Sequence, residues 1–460
     1  MLMNERLEKV EYPLIGLWRN HFHLEVPWGL VNDPCGLSCV DGIYHIYFQW
    51  NPNGCIHKTK HWGIVKTKDF ITYTKPKIFL APDQAIDKDG VYTGCATYID
   101  NIGYLFYTGN VRNENNIRIP HQNVAIVKND KLIEKINIIK DSPQGYTDHY
   151  RDPFYYKGDK HYLLIGAKNT SLQGRIVLYS SKDLKKWNFD GEIETNYDSF
   201  GYMWECPNFF QLDGKDILAF CPQGLESQTY KFQNLHQSGY IVGKMDFKNR
   251  IMEHNDFQEF DYGFDFYAPQ VLKEKNRVIL QAWAGMPEHE EDYLTIQEGY
   301  VYSHTLPREL VLKEKHLYQK PIEEIYKLRN EKISVKDVVN KRCHELVATF
   351  EENQDVKLKI IFNDGYLLME YDAINKTFIL DRNHLSLGKK GIRRLKLEQL
   401  SNIDLFIDQN IIELYINDGQ YVMTAIYYTK DETIKLEYDN SIKNIELWQL
   451  NSFNYKDESR

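Results

Sequence analysis

The sequence predicts an all-β protein in two units: a five-bladed β-propeller over residues 1–310 and a C-terminal β-sandwich over residues 335–460, joined by a linker over 311–334. Three observations carry that expectation. Short runs of Tyr, Phe, Ile and Val, broken by turn residues, recur through the first 310 residues without a convincing amphipathic helix among them. Polar and aromatic marks return about every 60 residues across the same stretch. A second series of alternating strands then fills about 120 residues at the C-terminal end.

Each element follows in order. Ile43-Tyr44-His45-Ile46-Tyr47-Phe48 comes directly after Asp41-Gly42, a favourable hairpin dipeptide. Tyr104–Tyr107, His161–Ile165 and Arg277–Leu280 repeat that form after polar or glycine-containing turns. The rhythm runs from Asp33 to Thr93 in about 60 residues, to Asp152 in about 59, to Glu205 in about 53 and to Tyr267 in about 62. Propellers repeat four-stranded sheets around a central channel. Five such units would reach residue 310, where Leu306-Pro307-Arg308-Glu309-Leu310 reads as the end of the array. Residues at equivalent places would then converge on one axial pocket.

Pro321 through Leu328 carries a helical signal, with Pro first, acids in the first turn and Lys327 and Arg329 near the end. It reads as a linker. Val356–Phe362 followed by Asn363-Asp364-Gly365, and Ile411–Ile416 followed by Asn417-Asp418-Gly419, then pattern as strands and turns of a sandwich.

At 460 residues the chain exceeds the ~250–300 at which a single core stops growing. A net charge of −9 with no long basic run argues against a nucleic-acid partner and suits a small neutral or anionic ligand. The polar start Met1-Leu2-Met3-Asn4-Glu5-Arg6 lacks the apolar run of a signal peptide, and no stretch has the ~20 apolar residues of a membrane span. Seven scattered cysteines without a C-x-x-C pair point to reduced thiols and a cytoplasmic protein. Cys35 and Cys39 with His57 or His61 lack paired zinc-ligand spacing, so no metal and no other cofactor is expected. The sequons at Asn169 and Asn375 read as accidental, and the oligomeric state stays open.

Chemistry concentrates in three motifs: Asn32-Asp33-Pro34, Arg151-Asp152-Pro153 and Trp204-Glu205-Cys206-Pro207. A lone Asp-Pro is usually a turn. Three acidic motifs on the blade rhythm supply what glycoside cleavage needs, an acid to protonate the leaving oxygen and a carboxylate to attack or shield the sugar carbon.

At these motifs the chain resembles the invertase and fructan-hydrolase family, glycoside hydrolase family 32, and in particular its members that act on sucrose 6-phosphate. Further carriers are Tyr47 through Pro52, His61-Trp62-Gly63, Tyr107 through Arg112, Gly263 through Gln270, Ala282-Trp283 and Leu306 through Leu310. The resemblance implies a retaining β-fructofuranosidase on a propeller followed by a sandwich. It makes Asp33 the nucleophile, Glu205 the acid/base and Asp152 the carboxylate that holds fructose hydroxyls. Asn32, Gln49, Trp62, Tyr92, Thr93 and Trp283 would line the fructose pocket, and Arg151 would keep Asp152 ionised. Glu205 would stay protonated through desolvation by Trp204 and Cys206 and the charge of Asp33.

Three departures from the family pattern stand out: Cys35 in place of Asn, Tyr92-Thr93-Gly94-Cys95 in place of Phe-Ser-Gly-Ser, and Trp50 in place of Tyr. With Cys206 beside the acid, the propeller reading implies that Cys35, Cys95 and Cys206 converge near one cleft. The expected substrate is the small sugar sucrose 6-phosphate, with sucrose poorer, and Arg118 and His121 are candidate phosphate contacts. Alternatives are an invertase or exo-fructanase on unphosphorylated sugars, a sugar-binding propeller without turnover, and a hydrolase of arabinose- or xylose-containing chains.

Overall fold

A computed structural model describes residues 2–340 and 342–458. Strands make up both halves of the chain, and the only α-helix among the described residues is the short Leu2–Glu8. Five sheets follow one another through the first 321 residues, antiparallel except for two short parallel edge strands in the first. Sheet I begins with Gly29–Val40, sheet II with Val91–Ile99, sheet III with Tyr146–Lys157, sheet IV with Met203–Leu212 and sheet V with Tyr267–Glu274. These five first strands touch in cyclic order, and that of sheet V returns to contact that of sheet I.

Every first strand slips register against its second strand at the motif: between Val31 and Gly36, Val91 and Gly94, Arg151 and Phe154, Glu205 and Asn208, and Tyr267 and Gln270. Four of these bulges hold a proline (Pro34, Pro153, Pro207, Pro269), which has no N–H to give to a ladder and is tolerated where pairing is interrupted. Asp152, Cys206 and Ala268 take left-handed backbone there, with φ of 65°, 48° and 46°. Such conformations cost about 1–3 kcal/mol each for non-glycine residues, so the surrounding strands must hold them. Gly166, paired to Arg151, lets sheets III and IV close up, since a Cβ there would meet the Trp204 carbonyl oxygen at 2.1 Å.

Sheet V does not stop at residue 310. Arg308–Lys313 and His316–Pro321 form its outer hairpin, with Leu310 and Leu317 buried and Glu314 at the turn (φ 58°). The helical signal over 321–328 yields a single 3₁₀ turn, Ile325–Leu328, because Ile322, Ile325 and Leu328 are all drawn into the core. Strand pairing resumes already at Arg329–Ile333, so the unpaired connection is shorter than the expected linker.

The remaining residues form two six-stranded antiparallel sheets over a common apolar core that includes Leu346, Ile360, Leu405, Leu414 and Leu447. Both chain ends return to sheet I: Leu7 and Phe453 join its core, and Asn454–Lys456 pairs in parallel with Thr72–Thr74. A buried ionic network ties the halves together. Arg308 donates to Glu413 at 2.7 and 3.0 Å and to Asp261 at 3.1 Å, while His23 lies between Asp408 (2.8 Å) and Glu413 (3.1 Å).

Candidate active site

The bulges turn Asp33, Asp152 and Glu205 into one pocket of about 200 Å³. A larger cleft of about 320 Å³, lined by other residues of the same first strands, has no carboxylate in its walls. Asp33 accepts from Asn32 Nδ2 at 2.9 Å, from Gln49 Nε2 at 3.2 Å and from the Thr93 hydroxyl. Lys60 Nζ donates to Asn32 Oδ1 at 2.7 Å, which leaves the Asn32 amide nitrogen to face Asp33. The Asn32 carbonyl accepts from buried His304 at 2.7 Å. Asp152 accepts from the Cys206 backbone N–H at 3.1 Å. Glu205 is the most heavily bonded: Arg151 Nε (2.9 Å) and Nη2 (2.5 Å) reach Oε1, and Gln223 (2.7 Å) and Tyr267 (2.5 Å) reach Oε2.

Arg151 therefore pairs with Glu205 and stands 4.0 Å from Asp152, the reverse of the partnership that sequence adjacency suggests. Charge follows geometry. Burial pushes the Asp33 carboxyl up, against the pull of the Thr93 and Asn32 bonds and with the help of the Glu205 charge. Burial, with Glu205 and Asp33 nearby, raises Asp152 to about 7 despite Arg151. Glu205 is also buried, but Arg151 and Tyr267 overcome that and hold it below the usual carboxylate range. Glu205 is thus held down while both aspartates are pushed up, whereas the resemblance implied a raised Glu205. Buried Lys60 is lowered to about 7 by desolvation, with Asp33 opposing.

Among the expected pocket residues, Asn32, Gln49, Tyr92, Thr93, Arg151 and Trp283 line the cavity. Trp62 does not. Its fully buried ring lies behind the wall, where Nε1 donates to the Tyr92 carbonyl at 2.9 Å and so braces that residue. Arg118 reaches the pocket, whereas His121 turns to the Lys140 carbonyl at 2.5 Å.

The three thiols do not open into one cleft, although Cys35 lies near enough to feel the charges of Asp33 and Asp152. Only Cys206 lines the pocket; Cys35 packs with Tyr47, Trp62 and Tyr107, and Cys95 accepts from the Tyr155 N–H in a neighbouring core. The bulges break the period-2 alternation that would have put residues two apart on one face. Sequence reasoning missed Lys60, Gln223 and the hydroxyl role of Tyr267. Tyr267 stood in the rhythm and could have been found there; Lys60 and Gln223 lie outside the acidic motifs and meet them only in space.

Three carboxylates from three sheets around one cavity, with hydroxyl donors on Asp33 and Glu205 and a backbone N–H on Asp152, define a glycoside hydrolase. Residues 23–321 match the glycosyl hydrolases family 32 N-terminal domain and residues 315–449 the family 32 C-terminal domain. The chain belongs to glycoside hydrolase family 32. It is 35% identical to the sucrose-6-phosphate hydrolase of Bacillus subtilis (strain 168), covering 94% of each chain. It is 39% identical to that of Vibrio alginolyticus over 89% of this chain and 86% of the relative. Among solved structures it is similar to the sucrose-6-phosphate hydrolase of Lactobacillus gasseri, with a TM-score of 0.88 and 28% identity over 98% of this chain and 96% of that one. A β-fructofuranosidase of Bombyx mori gives a TM-score of 0.87 and 26% identity over 99% and 98%.

Proposed function

We propose that the chain is a retaining β-fructofuranosidase that hydrolyses sucrose 6-phosphate, and sucrose less well. The observation that carries this reading is the single pocket into which three sheets deliver Asp33, Asp152 and Glu205. Asp33, held by three side-chain donors, attacks the anomeric carbon of the fructosyl unit. Glu205 gives its proton to the glycosidic oxygen, and glucose 6-phosphate leaves. Glu205, now a base, takes a proton from water, whose oxygen attacks the same carbon, frees Asp33 and releases fructose.

Asp152 binds fructose hydroxyls. Their donation favours its ionised form, so sugar binding drives the proton of the resting cluster from the aspartates toward Glu205. Tyr92, Thr93, Gln49 and Trp283 shape the fructose site, with Trp62 behind Tyr92.

The phosphate preference is supported by the names of the relatives and by Arg118, a pocket residue whose buried Nε has no acceptor. A phosphorylated sugar is met in the cytoplasm, where we place the reaction. The cyclic contacts of the five first strands support a five-bladed propeller, which we extend to residue 321, with the C-terminal sandwich starting at 329. Comparing kcat/KM on the two sugars tests the substrate. Sucrose 6-phosphate should be favoured by about tenfold or more, as one lost charge-assisted contact of about 1.4 kcal/mol implies. Parity, or a preference for sucrose, would make the chain an invertase or exo-fructanase.

A further inference from the structure

A second cleft, of about 180 Å³, opens where sheet V and its following loop meet the C-terminal sheets. Its walls carry Arg382, Lys389, Lys390 and Arg393 from one side and Asp265, Pro287 and Glu288 from the other. The cations exceed their partners. Asp265 is taken by Arg382 at 2.9 Å, and Asp292 by Lys389 at 2.9 Å. Glu288 stands exposed at the rim. Arg393 has only neutral acceptors among the described residues: Asn234 Oδ1 at 2.5 and 3.2 Å, the Gly263 carbonyl at 3.2 Å and the Ile392 carbonyl at 3.4 Å.

Both guanidinium groups also sit on one ring. Arg382 lies 3.9 Å and Arg393 4.2 Å from the centroid of Phe264, and the charge of one acts on the other. Arg382 is 5% exposed, and its Nε is buried without an acceptor. Burial, then the charge of Arg382, lowers Arg393 to about 10. A buried donor left unmade is costly, and the two guanidinium groups share a single bonded carboxylate, Asp265, among the described residues.

We propose that this cleft is a binding site for a phosphate dianion, free or carried by a hexose. Guanidinium forks match phosphate oxygens, and Arg382 Nε, Arg393 and the exposed Lys390 are the groups without an anionic partner. The volume exceeds that of the ion alone and admits a sugar bearing it. The site stands apart from the Asp33 pocket, yet Pro287 lines both. An anion held here would therefore act on the pocket wall.

The test is calorimetric titration of the full chain with inorganic phosphate, glucose 6-phosphate and glucose, in the wild type and in Arg393→Gln, Lys390→Glu and Arg118→Gln. Phosphate and glucose 6-phosphate should bind and glucose should not. Arg393→Gln should weaken both by about tenfold or more, the loss of one charge-assisted contact, and Lys390→Glu, at an exposed position, should weaken them without affecting folding. Arg118→Gln should leave this binding in place. Tighter binding of glucose 6-phosphate than of phosphate assigns a hexose-borne group; equal or weaker binding assigns the free ion. Unchanged phosphate affinity in Arg393→Gln and Lys390→Glu, loss confined to Arg118→Gln, or no binding to the wild type would overturn the proposal. The kcat/KM comparison of the two sucroses reads the Asp33 pocket and stands separately.

Discussion

Arg151 reaches past its neighbour in sequence: its guanidinium lies on Glu205 at 2.5 and 2.9 Å and 4.0 Å from Asp152. The cation thereby depresses the group that must donate a proton. Removing it should move Glu205 upward. In Arg151→Gln, kcat/KM should fall by about 10²–10³, the scale of one lost contact to developing charge, while the alkaline limb of its pH profile shifts to higher pH. An unmoved limb would show that Arg151 does not set the acidity of Glu205.

Asp33→Ala should abolish turnover with the circular dichroism spectrum intact. Glu205→Ala should damage sucrose hydrolysis by about 10²–10⁴, yet far less the cleavage of a fructoside whose leaving group needs no proton. Equal damage on both substrates would remove Glu205 from the acid role. Nuclear magnetic resonance of the first-formed fructose anomer should show retention.

Asp152 makes activity and stability oppose each other. Its carboxyl is raised to about 7 in the fold, mainly by burial. The native state thus holds a proton that the unfolded chain releases near its ordinary ~3.9, and stability falls as pH climbs from there to about 7. Asp152→Asn should be inactive but more stable than the wild type. We expect a gain of at most about 4 kcal/mol at pH 8, vanishing below about pH 4. Urea unfolding at both pH values checks it, and a variant no more stable at pH 8 would contradict it.

The acids were legible because each shares a short stretch with a proline or tryptophan, and all the residues of that stretch stand in one strand. Strand alternation likewise disclosed the all-β class. What could not be read is what the bulges do. Cys35 lies two residues from Asp33, and period 2 would place both on one face, yet the register slips at Val31/Pro34 and Pro34/Gly36 send the thiol into the core. Adjacent Arg151 and Asp152 are separated the same way, and Asp152 turns inward only through its left-handed backbone. Lys60 and Gln223 carry no motif of their own. The hairpin at Arg308–Pro321 was missed because a proline-bearing mark at 306–310 looks like an ending when the buried Leu310 and Leu317 cannot be seen facing one core.

The thiols should be poor nucleophiles. Burial pushes Cys35 up, and Cys95 to about 12, while a bond to Cys221 and burial raise Cys206. Since the thiolate is the reacting species, iodoacetate at pH 7 should leave activity unchanged over hours. A mercurial should label Cys206 ahead of Cys35 and Cys95, and fructose should protect it. Peptide mass spectrometry reads the order; labelling of Cys95 first would contradict the pocket geometry.

Lys60 fixes which end of the Asn32 amide faces the nucleophile, since Oδ1 accepts from Nζ at 2.7 Å and Nδ2 is left for Asp33. In Lys60→Met the amide can rotate and present its oxygen to the Asp33 carboxylate, a repulsive contact. We expect kcat to fall by about 10–100-fold, one misplaced donor, with KM changed much less. An unchanged kcat would mean that Asn32 keeps its orientation without the lysine.

The ionic network between the two halves gives alkaline pH a specific target. His23 is fully enclosed, and burial alone would lower its pKa, but bonds to Asp408 and Glu413 reverse that and hold it at about 9. A histidine raised above its unfolded value near 6.5 contributes stability that is complete below that pH and is lost as pH rises through 9. The contribution is at most about 3 kcal/mol at 1.36 kcal/mol per unit. The unfolding free energy of the wild type should therefore decline between pH 6.5 and 9.5, and His23→Gln should lack that decline while being less stable at pH 6. Arg308→Met, which leaves Asp261 without its cation and Glu413 with His23 alone, should cost about 3–5 kcal/mol at neutral pH. Parallel stability–pH curves for the wild type and His23→Gln would show that the imidazole is neutral in the fold and that Arg308 alone offsets the two carboxylates bonded to it.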